Sequence, residues 1–444
     1  MENSYLEYLK AVKKPFKKIT KLEFLQPDNS VAFSLGNQFV KRGYMTKYDT
    51  KAFIQNGTLN VSMNNGARRS ATITLSNLDS QFDYAINKIW FGNKVRLLMG
   101  IVLPNGEDFY LPQGVFYIKQ PKNEYASNKK IATFSLVDKW AALDGTLGGI
   151  LNQDYIIESI KDGNAVNVFD AMSALLRLSK YSHSHTNDVF SMIDNVEPIF
   201  TTYYQNKKYA YMKSDGTITT DISVTDLPYD ITEKTGSTIA KLMLALNDTF
   251  VGTCGYDQTG AFRVEPSQED IKDSEKPILW NFTPEEKNLC SFTETIKNDE
   301  VFNDVLIVGE GLTGYEVWGR ASNYDSASDT NINLIGLKTF TERKAEYWNA
   351  EQCSSLAEWN LKRKTVLQKS ITIESSQMFH LIENRLITIK RTDKQGSPVE
   401  RHLINAFSIP IGETGNMTIN ATSVNDFPLS TVKEYSTQSG VTIR

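Results

Sequence analysis

The chain has 444 residues, of which 40% are hydrophobic and 11% aromatic, a composition typical of a well-packed globular protein. This length exceeds one ordinary hydrophobic core and predicts roughly two to four domains. The net charge of −4 contains no basic excess, which argues against a protein built to grip nucleic-acid phosphates.

The cysteines and the apolar runs narrow the class of protein further. Cys254, Cys290 and Cys353 are an odd number of widely spaced residues, so they predict buried free thiols rather than a disulfide framework or a paired-cysteine metal site. The N-terminus lacks the apolar segment of a signal peptide, and no run of about 18 apolar residues occurs. We therefore expect synthesis in the cytoplasm and no membrane span.

Residues 1–50 are predicted to form a basic helical arm and a lead-in strand. Four apolar residues recur at helical spacing: Tyr5, Leu9, Val12 and Phe16. Six lysines crowd the same segment: Lys10, Lys13, Lys14, Lys17, Lys18 and Lys21. The six lysines less Glu2 and Glu7 give the first 21 residues a charge of +4, which leaves −8 for the remainder. The pattern is typical of an amphipathic arm that docks on an acidic neighbour or a lipid surface, or of a surface helix with a solvated lysine face.

Residues 51–150 show the period-two alternation of β-strands and are predicted to form a first β-barrel domain. Two alternating runs around Leu59 and Ile73 flank Asn64-Asn65-Gly66, a turn that tolerates positive φ, and so predict a hairpin with one buried face. Further strands are predicted over residues 94–103, 108–111, 114–118 and 131–137. Short strands at this spacing are typical of an antiparallel barrel or sandwich.

Residues 151–295 are predicted to form an α+β middle domain. Helical spacing of apolar residues predicts helices over residues 166–178 and 237–246. Asp215-Gly216 and Thr259-Gly260 each stand between β-forming runs, which indicates two hairpins.

Residues 296–425 are predicted to form a second β-barrel domain, interrupted by one helix. Strands are expected over residues 305–308, 315–318, 370–374, 385–391, 401–409 and 416–422. Asn349 and Gln352 have the spacing of a capping box at the start of the helix over residues 350–361. The Ser/Thr-rich residues 426–444 have no apolar face, so we expect a flexible tail or a strand that forms only with a partner.

The sequence offers no catalytic motif, and we predict no catalytic residue, no cofactor-binding residue and no metal ligand. It contains neither a Gly-x-Ser-x-Gly elbow nor a phosphate loop ending in Gly-Lys-Ser/Thr, and the glycine cluster of residues 145–149 is best interpreted as a connection between domains. The four histidines are His183, His185, His380 and His402. His183 and His185 are spaced as half of a metal site, but a polar surface loop explains them better.

Two other functions remain as alternatives. Trp90, Trp318, Trp348 and Trp359 suit a carbohydrate-binding or receptor-binding protein if they are exposed, although tryptophans beside strands more often lie in the core. A β-sandwich glycoside hydrolase needs two carboxyl groups about 5 to 10 Å apart, and the sequence does not decide spatial distance. Adjacent acids occur at Glu269-Asp270, Glu285-Glu286 and Asp299-Glu300, each in a polar segment typical of a solvated turn.

The order of motifs along the chain resembles the tail (baseplate) hub proteins of bacteriophages, especially those of phages and phage-like particles of Gram-positive bacteria. In the first half the resemblance rests on Gly57-Thr58-Leu59, residues 67–75, Ile89-Trp90-Phe91-Gly92, residues 111–118 and Leu136-Val137-Asp138-Lys139-Trp140. In the second half it rests on residues 254–260, Phe302-Asn303-Asp304-Val305-Leu306-Ile307-Val308-Gly309, Ile335-Gly336, the helix over residues 350–361 and residues 404–417. It extends over most of the chain between Lys51 and Thr422.

Membership of this family implies a structural protein of the virion tail that is assembled in the host cytoplasm and is not an enzyme. It implies a homotrimer in which two similar barrels per subunit make a pseudo-sixfold ring matching the hexameric tail tube. The implied partners are the tail tube or distal tail protein, the tape-measure protein and a spike or tip protein, and DNA passes through the lumen without specific binding. The charge asymmetry then predicts that the basic arm reaches outward to an acidic partner, so that deletion of Met1–Lys18 impairs assembly.

Overall fold

A computed structural model describes residues 2–26, 28–37, 52–83, 89, 92–127, 129–181, 196–212, 218–250, 252–266, 277–283, 289–296, 301–311, 316–326, 328, 330–345, 347–361, 369–392, 395–412, 414–423, 431–436 and 442–443. The protein is mainly β, as the alternating apolar pattern predicts. The N-terminal elements are α1 (Glu2–Ala11), β1 (Lys17–Leu25), β2 (Val31–Gly36), β3 (Ile54–Ser62), β4 (Arg69–Ser76), β5 (Lys94–Val102), β6 (Asp108–Ala126) and β7 (Lys129–Asp138). A short 3-10 helix, Lys139–Ala142, follows β7.

The middle of the chain alternates short strands with two helices. Its elements are β8 (Tyr155–Ile157), β9 (Ile160–Lys161), β10 (Asn164–Ala165), α2 (Val168–Tyr181), β11 (Ile199–Phe200), β12 (Lys208–Met212), β13 (Ile218–Ser223), β14 (Ile231–Glu233), α3 (Ile239–Asp248), β15 (Gly252–Tyr256) and β16 (Phe262–Pro266). Strands β12 and β13 pair antiparallel, as do β15 and β16, which confirms both predicted hairpins. The inward faces of α2 and α3 share a separate core with Trp140 and Phe250.

The last third contains the elements β17 (Ile278–Phe282), β18 (Leu289–Ile296), β19 (Asp304–Glu310), β20 (Glu316–Asn323), α4 (Ile332–Ile335), β21 (Thr339–Lys344), α5 (Ala350–Leu361), β22 (Lys369–Ser375), β23 (Leu386–Lys390), β24 (Val399–Ile411), β25 (Met417–Ser423), β26 (Thr431–Ser436) and β27 (Thr442–Ile443). The predicted cap of α5 is present, since the Asn349 side chain accepts a hydrogen bond from the Gln352 N–H at 2.8 Å. The Gln352 side chain reaches back one residue further than a capping box requires and accepts from the Trp348 N–H at 3.0 Å.

One thirteen-stranded sheet joins the two β regions that the sequence separates. Its order is β18-β22-β25-β24-β3-β4-β7-β6-β5-β1-β2, with β23 and β17 branching from β24. Residues 57–62 of β3 pair antiparallel with residues 406–411 of β24, so strands from opposite ends of the chain lie side by side. The described strands do not close on themselves, and the two separate closed barrels expected from sequence are not seen. Alternation specifies which face of a strand is buried, but it does not specify the neighbouring strand.

The strand that begins at Asp304 lies outside the large sheet, although the sequence suggested that it opens a second barrel. Strands β19, β20, β21, β26 and β27 form a separate five-stranded sheet in the order β21-β19-β20-β26-β27. Helix α5 covers this sheet, with Cys353, Ala357 and Leu361 packed on Val305 and Ile307. Residues 431–436, expected in a flexible tail, pair with β20 instead.

The N-terminal segment is part of the core and does not form one continuous basic helix. Helix α1 ends at Ala11, and residues 17–25 form β1, which lies between β5 and β2. Tyr8 and Val12 are buried in the same apolar core as Leu59 and Phe407. The lead-in strand predicted for residues 1–50 is present as β1, and it begins inside the lysine-rich segment at Lys17.

Candidate functional site

The outward side of six neighbouring strands in the large sheet is formed mainly by small polar residues, with Val137, Ala406 and Pro410 among them, and we call it the polar face. It is made by β22, β25, β24, β3, β4 and β7. Its members are Thr58, Asn60, Ser70, Thr72, Thr133, Ser135, Thr372, Ser408, Thr418 and Asn420. The alternate residues of the same strands, such as Leu59, Ile73 and Ile409, point into the core and are buried.

The strand register aligns these residues into rows that cross both β regions. Thr418 faces Ser408, Ser408 faces Asn60, and Asn60 faces Ser70. In the next row, Thr372 donates a hydrogen bond to the Asn420 side chain at 3.0 Å. The face is therefore one surface built in equal parts by the start and the end of the chain.

The polar face is almost free of charge at its centre. Strands β3 and β25 contain no charged residue, and the only charged residue of β4 is Arg69, whose side chain is buried. Charged residues lie towards the margins, for example Glu374 and Lys119. Hydroxyl and amide groups have little affinity for phosphates. Positive charge lies beside the face, since the cavity that Asn60, Ser408 and Thr418 line is also lined by Arg68, Arg69 and Lys119.

A buried ion pair connects the first β region to the loop before β23. The Arg69 guanidinium lies 2.5 Å from the Glu383 carboxylate, and both side chains are almost wholly buried. Arg69 also donates to the Gln113 carbonyl at 3.0 Å, and the Gln113 side chain donates to the Phe379 carbonyl at 2.8 Å. Gln113 occupies the irregular register of β6 opposite Leu97 and Leu98. This bulge directs the Gln113 carbonyl towards Arg69 and the Gln113 side chain towards Phe379. A bulge disturbs the pairing without ending the strand, so the strands predicted over residues 108–111 and 114–118 are one strand.

The Asp138-Lys139-Trp140 sequence connects the first β region to the middle of the chain. The buried Asp138 carboxylate accepts from the Arg68, Arg69 and Trp140 N–H groups at 2.7, 3.0 and 3.1 Å. Burial raises the pKa of Asp138 to about 6, although those hydrogen bonds oppose the shift. The buried Lys139 ammonium donates to the Gly260 carbonyl and lies 4.7 Å from the Tyr256 ring centroid. Burial lowers the pKa of Lys139 to about 7.

Two glycines bring the β3–β4 turn into contact with strand β15. The Gly66 N–H donates to the Cys254 carbonyl at 2.9 Å, and Gly66 has a φ of 91°, as the predicted turn requires. A Cβ at Gly66 would meet the Trp140 ring at 2.7 Å, and one at Gly255 would meet Arg68 at 2.5 Å. Only residues without a side chain permit this approach.

Asn303 and Asp304, prominent in the sequence, support a loop of the five-stranded sheet. The buried Asn303 side chain donates to the Thr330 and Gly336 carbonyls at 3.1 and 2.7 Å and accepts from the Lys338 N–H at 2.8 Å. Asp304 accepts from Arg320, Ser322 and Thr339 at the start of β19. These residues therefore have a structural role, and the loop they support exposes 69% of Leu334.

The histidines do not assemble into a site within the described residues. His380 is buried and hydrogen-bonded to the Tyr8 hydroxyl at 3.0 Å, and burial lowers its pKa to about 4. His402 is buried on β24, 3.6 Å from Glu400, whereas His183 and His185 lie outside the described residues. The part of the chain that the structure describes contains no group of three or more His, Cys, Asp or Glu residues placed to hold a metal ion. Its helices are all too short or too polar to cross a bilayer.

Two of the tryptophans behind the alternative functions, Trp348 and Trp318, have side chains that the structure describes. Trp348 is buried and donates to the Thr249 carbonyl at 3.4 Å, and Trp318 is half-buried on β20. Trp90, the side chain of Trp359 and the three adjacent acid pairs lie outside the described residues. Cys254 and Cys353 are buried free thiols as predicted, but Cys290 is exposed.

Comparison with solved structures connects this fold to tail proteins. The tail protein from Neisseria meningitidis MC58 aligns with a TM-score of 0.54 at 9% identity, over 92% of this chain and 97% of that one. The prophage MuSo2 43 kDa tail protein from Shewanella oneidensis aligns with a TM-score of 0.53 at 12% identity, over 91% and 98% of the two chains. The chain has the fold of these tail proteins. No protein-family model and no curated protein sequence matches it.

Sequence reasoning found the elements of the tail-protein fold but missed the polar face and the buried ion pair. The alternation of Ser, Thr and Asn in β3, β4 and β25 was a visible signal for the face. Nothing in the sequence links Arg69 to Glu383, because the two residues lie far apart along the chain and in segments of different character.

Proposed function

We propose that this protein is a structural component of a phage or phage-like tail, in which three copies form a ring at the distal end of the tail tube. The observation that carries the proposal is the polar face, a continuous and nearly uncharged surface to which both β regions contribute strands. Its composition suits the wall of a channel, since DNA moves past hydroxyl and amide groups without the phosphate contacts that would retain it. The fold shared with two tail proteins supports this role.

The strand order supports a pseudo-sixfold ring. Each chain would contribute β3, β4 and β7 from one region and β24, β25 and β22 from the other, so three chains supply six such units. Within the described residues, β18 and β2 at the ends of the large sheet each pair on one side only. Pairing between neighbouring copies would cover these edges and close, across subunits, the barrels that one chain leaves open.

In this proposal the ring joins the tail tube or distal tail protein to a spike or tip protein, with the tape-measure protein and later DNA in its lumen. The protein acts by assembly and not as an enzyme. An origin in particles of Gram-positive bacteria stays a prediction of the sequence resemblance.

The solution mass tests the ring. We expect light scattering of the purified protein, alone or with its tail neighbours, to give three times the 50.1 kDa mass of one chain. Crosslinks between β2 and β18 of different copies should accompany the trimer. A chain that stays monomeric when its tail neighbours are added would contradict the ring.

A further inference from the structure

A cavity of about 340 Å³ lies where the turn between α1 and β1 meets three later segments of the chain, at Cys290, at residues 376–377 and at residues 415–416. We call it the basic pocket, and the lining residues that matter are Lys13, Lys14, Lys18, Cys290, Ser376 and Gln377. It lies apart from the polar face, none of whose members lines it. The lysine-rich segment noted in the sequence therefore has a defined surface around it.

Lys18 brings a desolvated positive charge to the basic pocket. Only 6% of the residue is exposed, and its ammonium donates to the backbone carbonyl of Pro410. No carboxylate of the described residues forms an ion pair with it. A buried ammonium without a counter-charge is unfavourable, and burial lowers the pKa of Lys18 to about 7. An anion in the pocket would supply the missing charge.

Two further lysines add positive charge beside Lys18. Lys13 and Lys14 are exposed, and the Lys13 ammonium lies 5.3 Å from the Trp280 ring centroid. The first 21 residues have a charge of +4 in a chain whose net charge is −4. This concentration favours a partner with several negative charges over a single small anion.

Two residues that line the pocket also carry buried polar atoms without a hydrogen-bond partner. Gln377 is 4% exposed, and its side-chain oxygen has no hydrogen-bond partner, while its amide donates to the Gly415 carbonyl at 2.7 Å. The Ser376 hydroxyl is likewise buried without a partner. A hydroxyl can donate to a carboxylate, and an amide oxygen accepts from a peptide N–H, which the sugar-phosphate backbone of a nucleic acid lacks. The polar groups therefore favour a peptide over DNA.

We propose that the basic pocket binds an acidic segment of a partner protein, with a Glu or Asp carboxylate on Lys18 and further acidic side chains on Lys13 and Lys14. The Gln377 oxygen receives a backbone N–H of that segment. This interaction does not depend on the ring, because the whole pocket lies within one chain.

Binding of acetylated hexaglutamate to the full chain tests the pocket. We expect wild-type protein to bind the peptide in fluorescence anisotropy and the Lys13→Glu/Lys14→Glu variant to bind at least about tenfold more weakly. Lys10→Glu/Lys17→Glu is the matched control, since it changes the net charge equally at exposed lysines of the same segment that do not line the pocket. Lys18→Met should also abolish binding, with its melting temperature measured to confirm folding.

Cys290 provides an independent readout of occupancy. It is the exposed cysteine and lines the pocket, whereas Cys254 and Cys353 are buried. We expect hexaglutamate to slow the reaction of Cys290 with a thiol reagent in wild-type protein and not in Lys13→Glu/Lys14→Glu. Equal weakening by the two double variants, absence of peptide binding, or equally tight binding of an oligothymidylate of the same charge would each overturn the proposal.

Discussion

At the scale of single residues, a few buried charged and polar side chains set the relative positions of the three regions. Arg69, Glu383 and Gln113 tie the first β region to the last, and Lys139 ties the first region to the middle. A buried ion pair with one partner removed leaves an uncompensated charge in the interior, whereas an apolar replacement of both partners avoids this penalty.

The Arg69–Glu383 pair should therefore show strong coupling. We expect Arg69→Met alone to lower the free energy of unfolding by up to roughly 3 to 5 kcal/mol, because it removes the nearer partner of the buried Glu383 carboxylate and leaves only Arg68, at 4.0 Å. The double variant Arg69→Met/Glu383→Leu should lose clearly less than the sum of the two single variants. Urea denaturation of the four proteins measures this cycle, and additive losses would contradict the coupling.

The buried lysines predict how stability changes with pH. Burial lowers the pKa of Lys18, Lys94 and Lys139 to about 7, 8 and 7. At pH 7 many of these lysines are still charged in the folded protein, and burying the charge costs free energy. As the pH rises, they lose their protons in the folded state at a lower pH than they do in the unfolded state. The free energy of unfolding should therefore rise between pH 7 and 8.5.

Lys139→Met isolates one of these contributions. We expect a shallower rise between pH 7 and 8.5 in this variant than in wild type, measured by urea denaturation at several pH values. Lys10→Met, at an exposed position, is the control and should retain the wild-type slope. Parallel curves for wild type and Lys139→Met would show that Lys139 is not the cause.

At the scale of secondary-structure elements, the N-terminal segment is the largest departure from expectation. Helix α1 packs into the main core, and the Tyr8 hydroxyl accepts from the Phe379 N–H at 2.8 Å. Strand β1 continues the large sheet from β5. The same segment combines a structural face with the exposed lysines of the basic pocket.

Deletion of Met1–Lys18 should consequently affect folding as well as assembly. The truncated chain loses the buried Tyr8 and Val12 and the first residues of β1, so we expect a lower melting temperature. Tyr8→Phe, which removes only the hydroxyl, should cost roughly 1 to 3 kcal/mol by leaving a buried N–H without its partner. A truncated protein that melts like wild type and still assembles would refute both the structural role and the assembly role of the segment.

At the scale of the whole molecule, the polar face is the surface on which the proposed channel wall rests. The register that aligns Ser408, Asn60 and Ser70 across the β24–β3 junction makes one surface out of two regions. If the face is the proposed channel wall, positive charge added to it should increase DNA retention more than the same charge added elsewhere on the protein.

Lysines introduced on the polar face should cause the proposed ring to retain DNA. We expect Asn60→Lys/Asn420→Lys to bind a double-stranded oligonucleotide with an affinity that falls steeply as salt increases, while wild type binds little. Asn333→Lys/Thr341→Lys places two lysines at exposed positions on and beside the five-stranded sheet and is the matched control. Gel-shift titration of the trimer fraction at two salt concentrations compares them, and equal retention by the two variants would argue against a channel wall.

The sequence by itself determined the elements and their buried faces. The hairpins at Gly66 and Thr259-Gly260, the helix capped by Asn349 and the alternation in β3 and β4 all depend on residues within a few positions of one another, which is why local patterns predicted them. The same local patterns also showed the alternating Ser, Thr and Asn residues of the polar face, but they did not show that these residues form one surface.

Only the tertiary structure decided which strands became neighbours. The pairing of β3 with β24, the transfer of β19 to a second sheet, the strand at residues 431–436 and the Arg69–Glu383 contact all join residues distant in sequence. Such contacts depend on how the whole chain buries its apolar faces and covers its strand edges, and an alternating strand suits many partners equally well. The described strands of the two expected barrels are accordingly divided between one large sheet and a separate five-stranded sheet.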